Sequence, residues 1–211
     1  MTVHQNLGKL CDASLVHHEG VQPTAATATT TVDLWPARTV TFVFTDIEGS
    51  TRLLQQLGDR YADVLETHYE LIAAAFAGAG GVIFGSRGDA VFAAFVDPAG
   101  AVAGGLEAQR ALRSHPWDGH EVRVRMGIHT GEAVARGGTY IGLDVHRVAR
   151  ICSAALGGQV VVSDATASET ACALPDGACL VDLGVHWLKD LPQPDHLFEL
   201  THPDLTGGAR A

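Results

Sequence analysis

A chain of 211 residues that is 46% hydrophobic is long enough for one well-filled core and too short for two domains of ordinary size. With 24 acidic against 14 basic residues, its formal charge of -10 repels a phosphate-rich polymer, so no nucleic acid partner is expected. A small triphosphate held by local cations is not excluded, whereas the lack of any apolar run near the roughly 20 residues of a membrane helix, or of a signal peptide, predicts a cytoplasmic chain without membrane association.

Residues 1–38 show no sustained period and include the tract TAATATTT, so they are expected to be a disordered leader; an adjacent His17-His18 pair there does not by itself make a metal site. Cys11, Cys152, Cys172 and Cys179 form no CxxC pair and are read as unpaired thiols. From Thr39 the pattern becomes regular. TVTFVFTD suits a buried strand, and a helix should follow, with Ser50 and Thr51 as N-cap candidates and Tyr61, Leu65, His68/Tyr69, Ile72 and Phe76 on its packing face. GVIFGSRGDAVFAAF reads as a hairpin with a turn from Gly85 to Asp89.

After Asp97-Pro98, a helix with Val102, Leu106, Gln109 and Leu112 should run to about Ser114, and EVRVRMGIHTGEAV alternates as a strand. The resulting β-α-β-β-α-β order predicts an α+β domain with a ferredoxin-like core, helices covering one face of a mostly antiparallel sheet. A helix over 143–155, the strand QVVVS, a short helix from Asp164 and strands near Val185 and Leu197 complete a domain spanning 39–201, followed by a flexible tail over 202–211.

The most specific stretch is FTDIEGST, Phe44 to Thr51. An aspartate closes a hydrophobic strand and a Gly-Ser-Thr turn opens a helix, so a carboxylate able to hold a hard cation lies beside backbone N–H groups that can face phosphates. An ordinary strand-to-helix turn would look the same in isolation. The second carboxylate, Asp89, sits in the hairpin turn, and the β-α-β-β order puts that hairpin beside the first strand. Asp46 and Asp89 then converge, as two-metal chemistry requires.

Taken together, FTDIEGST, the GD of SRGDAVFAAF, VRMGIHTGE, YIGLDVHRVAR and WLKDL resemble the class III adenylate/guanylate cyclase catalytic domains, from about Val40 to Leu200. The resemblance implies two Mg²⁺ or Mn²⁺ ions on Asp46, Asp89 and the backbone carbonyl of Ile47, and phosphate contacts from Gly49, Ser50 and Thr51. It implies that Arg150 stabilises the transition state and that Arg125 and Lys189 hold the triphosphate. His146 stands where the family usually has an asparagine, and its ring can still donate a hydrogen bond to ribose or phosphate. Gly85 and Thr139 fall on the positions that usually select adenine, and Gly85 has no side chain to do so. His129 in GIHTG reads as structural.

The family assembles its site across a two-fold dimer, so a homodimer converting ATP to 3',5'-cyclic AMP and pyrophosphate is expected. The alternatives are guanylate cyclase activity on GTP, or a weak or inactive module that binds nucleotide or a partner. A diguanylate cyclase is disfavoured by the missing GGDEF-type turn.

Overall fold

The fold is built outward from β1 (Arg38–Ile47), whose residues 40–45 are all buried. The structure, a computed structural model, describes residues 38–206. Cys11, the His17-His18 pair and residues 1–37 of the expected leader lie outside the described residues. Phe42 and Phe44 point to one face of the sheet, and Val43 and Ile47 to the other.

Two helices, α1 (Ser50–Leu57) and α2 (Tyr61–Gly78), stand where one was expected. Gly58, at φ 57°, ends α1 and opens a 3₁₀ turn over Gly58–Arg60. The N-cap expectation is corrected as well. Gly49, at φ 70°, is the capping residue, and Ser50 and Thr51 are already helical. The chain must turn sharply between β1 and α1 in a left-handed conformation that a side chain would disfavour.

β2 (Val82–Arg87) and β3 (Ala90–Phe95) form the hairpin, but their ladder runs on to Arg87↔Ala90, so the turn is only Gly88-Asp89. β2 is an edge strand, which lets polar Ser86 and Arg87 stay paired while facing solvent. Next comes α3 (Pro98–Ser114), whose Asp97 cap accepts from the N–H groups of Ala99 and Gly100. The remaining elements are β4 (Val124–Arg136), β5 (Thr139–Ile141), α4 (Leu143–Ala154), β6 (Val160–Ser163), α5 (Asp164–Thr170), β7 (Cys179–His186), β8 (Asp195–Thr201) and α6 (Pro203–Thr206). β5 and α6 are too short to show a period. α6 lies within the expected flexible tail, where the ion pair between Arg110 and Asp204, 2.9 Å, holds it to α3.

The strand order β2-β3-β1-β4-β6-β8-β7, with β5 paired to β4, contains the ferredoxin-like core in its first four strands and adds the C-terminal strands beyond β4. Helices do not all share one face. α2 and α3 cover the face of Val43, Ile47 and Ile128, whereas α4 packs Val148 and Cys152 against Phe42, Phe44 and Tyr140 on the opposite face. Gly127 permits this: a Cβ there would lie 2.4 Å from the backbone nitrogen of Cys152.

A buried polar chain then fixes α4 along the sheet. His129 joins Ser163 Oγ through Nδ1 at 2.8 Å and approaches Asp144 through Nε2 at 3.2 Å. Asp144 accepts the backbone N–H of Glu132 at 2.8 Å and lies 3.3 Å from Nε of Arg147, which in turn pairs with Asp195. β4, β6, β8 and α4 are thereby tied at one place, and His129 is a structural residue.

His68 of α2 is fully buried, and neither ring nitrogen has a hydrogen-bond partner among the described residues. Burial pushes its pKa down from 6.5 to about 4, against a smaller upward pull from Asp89. Burial also lowers His129, outweighing its bond to Asp144. The unfolded chain therefore takes up protons first as pH falls through 6.5, and stability is lost between there and the folded pKa. Chemical denaturation should show the parent losing about 2 kcal/mol through His68 alone between pH 7.5 and pH 5. His68→Leu should flatten that limb by a similar amount, and an unchanged limb would contradict the assignment.

Candidate active site

Asp46 is the penultimate residue of β1, and the turn after β2 delivers Asp89 to the same end of the sheet because β3 runs antiparallel to β1. The link is direct: the backbone N–H of Ile47 donates to Oδ2 of Asp89 at 2.8 Å. On the other side β4 places Arg125 opposite Asp46 in register, and both Nε, at 2.9 Å, and Nη2 donate to Oδ2 of Asp46. Burial raises the Asp46 pKa most; Arg125 draws it down and the charge of Asp89 pushes it up again, with a net upward shift. Two carboxylates are thus held close, and Asp46 ionises less readily for it.

The Gly49 carbonyl accepts the N–H groups of Arg52 and Leu53, and Glu48 accepts the Gly157 N–H at 3.0 Å, which braces the turn. The first N–H groups of α1 have no partner within the helix, as in any helix. Gly49 follows Asp46 by three residues, and Ser50 lies beside Tyr61, which feels the charge of both carboxylates. The donors available, two carboxylates and the Ile47 carbonyl, are the hard oxygen ligands that Mg²⁺ and Mn²⁺ prefer. Among the described residues no group of three or more His, Cys, Asp or Glu side chains clusters as a metal site. These residues fit cations that share their coordination with phosphate oxygens, and the excess charge at Asp46 is what a cation would relieve.

A second set lies around α4. Arg150 donates from Nη2 to Asp190 at 2.9 Å, in the turn after β7 that also carries exposed Lys189. Asp190 has φ 63°, a left-handed conformation that aspartate tolerates better than most residues. His146 is exposed on α4 one turn before Arg150. Gly85 is on β2 and Thr139 on β5, and their neighbours Phe84 and Tyr140 pack edge to face with ring centroids 5.2 Å apart. Among the described residues, no hydrogen bond or ion pair joins Asp46, Asp89 or Arg125 directly to His146, Arg150 or Lys189.

Three residues at the site escaped the sequence reading. Tyr69 donates to the Gly88 carbonyl and so braces the Asp89 turn. Tyr61 lies beside Ser50 and feels both carboxylates; its pKa is raised first by burial, then by Asp89. Both tyrosines were legible only as positions on a helix face, although a half-buried hydroxyl calls for a partner. Asp190 carried a weaker signal, an acid next to Lys189.

Comparison with known proteins agrees with this arrangement. Residues 32–174 match the sequence model of the adenylate and guanylate cyclase catalytic domain. An uncharacterised protein of Mycobacterium tuberculosis is 37% identical over 172 residues, covering 81% of this chain; the chain spans only 58% of that relative's length. Among solved structures, an adenylate/guanylate cyclase/hydrolase from Silicibacter pomeroyi aligns with TM-score 0.68 at 26% identity, covering 79% of this chain and 98% of its own. An adenylyl cyclase from P. aeruginosa aligns with TM-score 0.69 at 23% identity, covering 78% and 94%, which is a likeness of fold. The strand order, the paired carboxylates at the end of β1 and the family match over most of the described residues agree, and the chain belongs to the family of adenylate and guanylate cyclase catalytic domains.

Proposed function

We propose that this chain is an adenylate cyclase that converts ATP to 3',5'-cyclic AMP and pyrophosphate as a homodimer. The observation that carries the reading is the convergence of Asp46 and Asp89, tied through the Ile47 N–H at 2.8 Å beside the start of α1. Two Mg²⁺ or Mn²⁺ ions held by Asp46, Asp89 and the Ile47 carbonyl would acidify the ribose 3'-hydroxyl and neutralise the triphosphate. Everything else falls to the chain. Gly49, Ser50 and Thr51 offer N–H groups to the phosphates, and Arg125 and Lys189 supply fixed positive charge. Arg150 stabilises charge developing at the transferred phosphorus, while His146 donates to ribose or phosphate. The proposed site of action is the cytoplasm, where ATP is available; no helix among the described residues is long and apolar enough to cross a membrane.

Two features favour the dimer. The carboxylates and Arg150 belong to separately braced sets, and beside the second set the β4–β5 arm exposes Val134 and Ile141 and the start of α4 exposes Leu143. Burying such an apolar group against a second copy would complete each site with residues from both chains. Asp46→Ala, Asp89→Ala and Arg150→Ala should each abolish metal-dependent turnover when assayed alone. Refolded together, Asp46→Ala and Arg150→Ala should recover about a quarter of parental activity, since about half the dimers are mixed and each has one intact site. No recovery from mixed dimers confirmed by tag exchange would contradict a shared site.

Base choice is where guanylate activity remains the alternative, because Gly85 presents no side chain to the purine. A Cβ built on Gly85 meets only Phe92, at 3.4 Å, so the backbone there admits the first carbon of a side chain. Gly85→Lys should raise the ratio of ATP to GTP turnover, because its ammonium can donate to adenine N1 but opposes the N1–H of guanine. An unchanged ratio in a competition assay would show that this position does not meet the base.

A further inference from the structure

Arg125 faces two demands. The reading above gives its guanidinium to the triphosphate, yet in this structure Nε, at 2.9 Å, and Nη2 both bond Oδ2 of Asp46. The pairing is imposed by the main chain. Asp46 and Arg125 are opposite partners inside a continuous β1–β4 ladder, flanked by Thr45↔Met126 and Ile47↔Val124. Each side chain is 28% exposed, so salt screens the pair less than it would at the open surface. Asp89 differs: among the described residues it makes no ion pair, and its Oδ2 bonds only the Ile47 N–H.

A divalent cation binds a carboxylate oxygen at about 2.0–2.6 Å. A guanidinium cannot keep its bonds to that oxygen beside such a cation, because two positive charges at that separation repel each other strongly. Both Arg125 bonds end on Oδ2, and a cation on either oxygen of the same carboxylate would still sit close to the guanidinium; Arg125 therefore competes with the cation for Asp46, and it leaves at lowest cost when another anion receives it. The triphosphate is that anion, and its oxygens also complete a coordination shell for which the chain clusters no third side-chain ligand among the described residues.

We propose that Arg125 is an exchangeable counter-ion of Asp46, holding the carboxylate in the nucleotide-free protein and passing to the triphosphate as the cation takes its place. Cation and nucleotide then bind as one coupled event, each tightening the other by the same factor. Without nucleotide, Arg125 competes with the cation; with nucleotide, it helps to seat the phosphates. The inference rests on the reading of Asp46 as a metal ligand.

The test is Mn²⁺ binding, read from the electron paramagnetic resonance of free Mn²⁺. The full chain is titrated with and without 3'-deoxy-ATP, which lacks the attacking hydroxyl, after correction for Mn²⁺ held by free nucleotide. Without nucleotide, Arg125→Gln should bind Mn²⁺ on the order of tenfold more tightly than the parent. It should also lose most of the tightening that 3'-deoxy-ATP confers on the parent. Arg125→Lys, which keeps the charge but not the two-pronged geometry, should fall between the two, and it carries the test if the glutamine variant does not fold. Mn²⁺ affinity unchanged or weakened in a folded Arg125 variant would overturn the exchange. Asp46→Asn separates the two claims: if it binds Mn²⁺ as the parent does, the metal assignment fails and the exchange with it.

Discussion

Ten consecutive residues of β1 pair with β4, and five of them also pair with β3, so β1 has neighbours on both sides and cannot slip without moving the whole sheet. Site geometry depends on that register. It sets Asp46 opposite Arg125, brings the β2–β3 turn to the end of the same strand, and lets the Ile47 N–H reach Asp89. A shift by one residue would turn Asp46 to the face of α2 and α3 and leave no site. The close approach at Gly127 does the corresponding work on the opposite face by admitting α4, and with it His146 and Arg150.

Holding two carboxylates together in a partly buried corner is unfavourable in itself, and the direction of the Asp46 shift reflects that. The chain offsets the cost locally, with a guanidinium on one carboxylate and a main-chain donor on the other. Arg150 is likewise held by Asp190. In this state Asp46 and Arg150 are matched by Arg125 and Asp190, and a metal-triphosphate would have to replace those matches with its own. A net charge of -10 therefore does not by itself bar a polyanion: in the proposed complex the relevant field would be that of a few arginines, a lysine and the cations.

Much of the fold and of the corner that joins the two carboxylates was legible in the sequence, because FTDIEGST packs a strand end, a turn and a helix start into eight residues, and because the β-α-β-β order itself brings Asp89 to Asp46. The split of the first helix was signalled by Gly58-Asp59, but the periodic run from Tyr61 to Phe76 hid it. The face taken by α4 was not legible. Its apolar spacing suits either side of a sheet, and the choice depends on a backbone approach at Gly127 that only three dimensions show. The same is true of the ion pairs: Arg125 and Arg150 were visible as cations, but their partners Asp46 and Asp190 lie 79 and 40 residues away along the chain.

The central claim is that the site turns ATP over and does not merely hold nucleotide. Purified protein incubated with Mn²⁺ and either ATP or GTP, with both cyclic nucleotides and pyrophosphate quantified, tests it most directly. The account predicts cyclic AMP and pyrophosphate in equal amounts from ATP, exceeding the cyclic GMP formed from GTP. Cyclic GMP as the main product would contradict the adenylate assignment, and nucleotide binding with no cyclic product from either substrate would contradict catalysis itself.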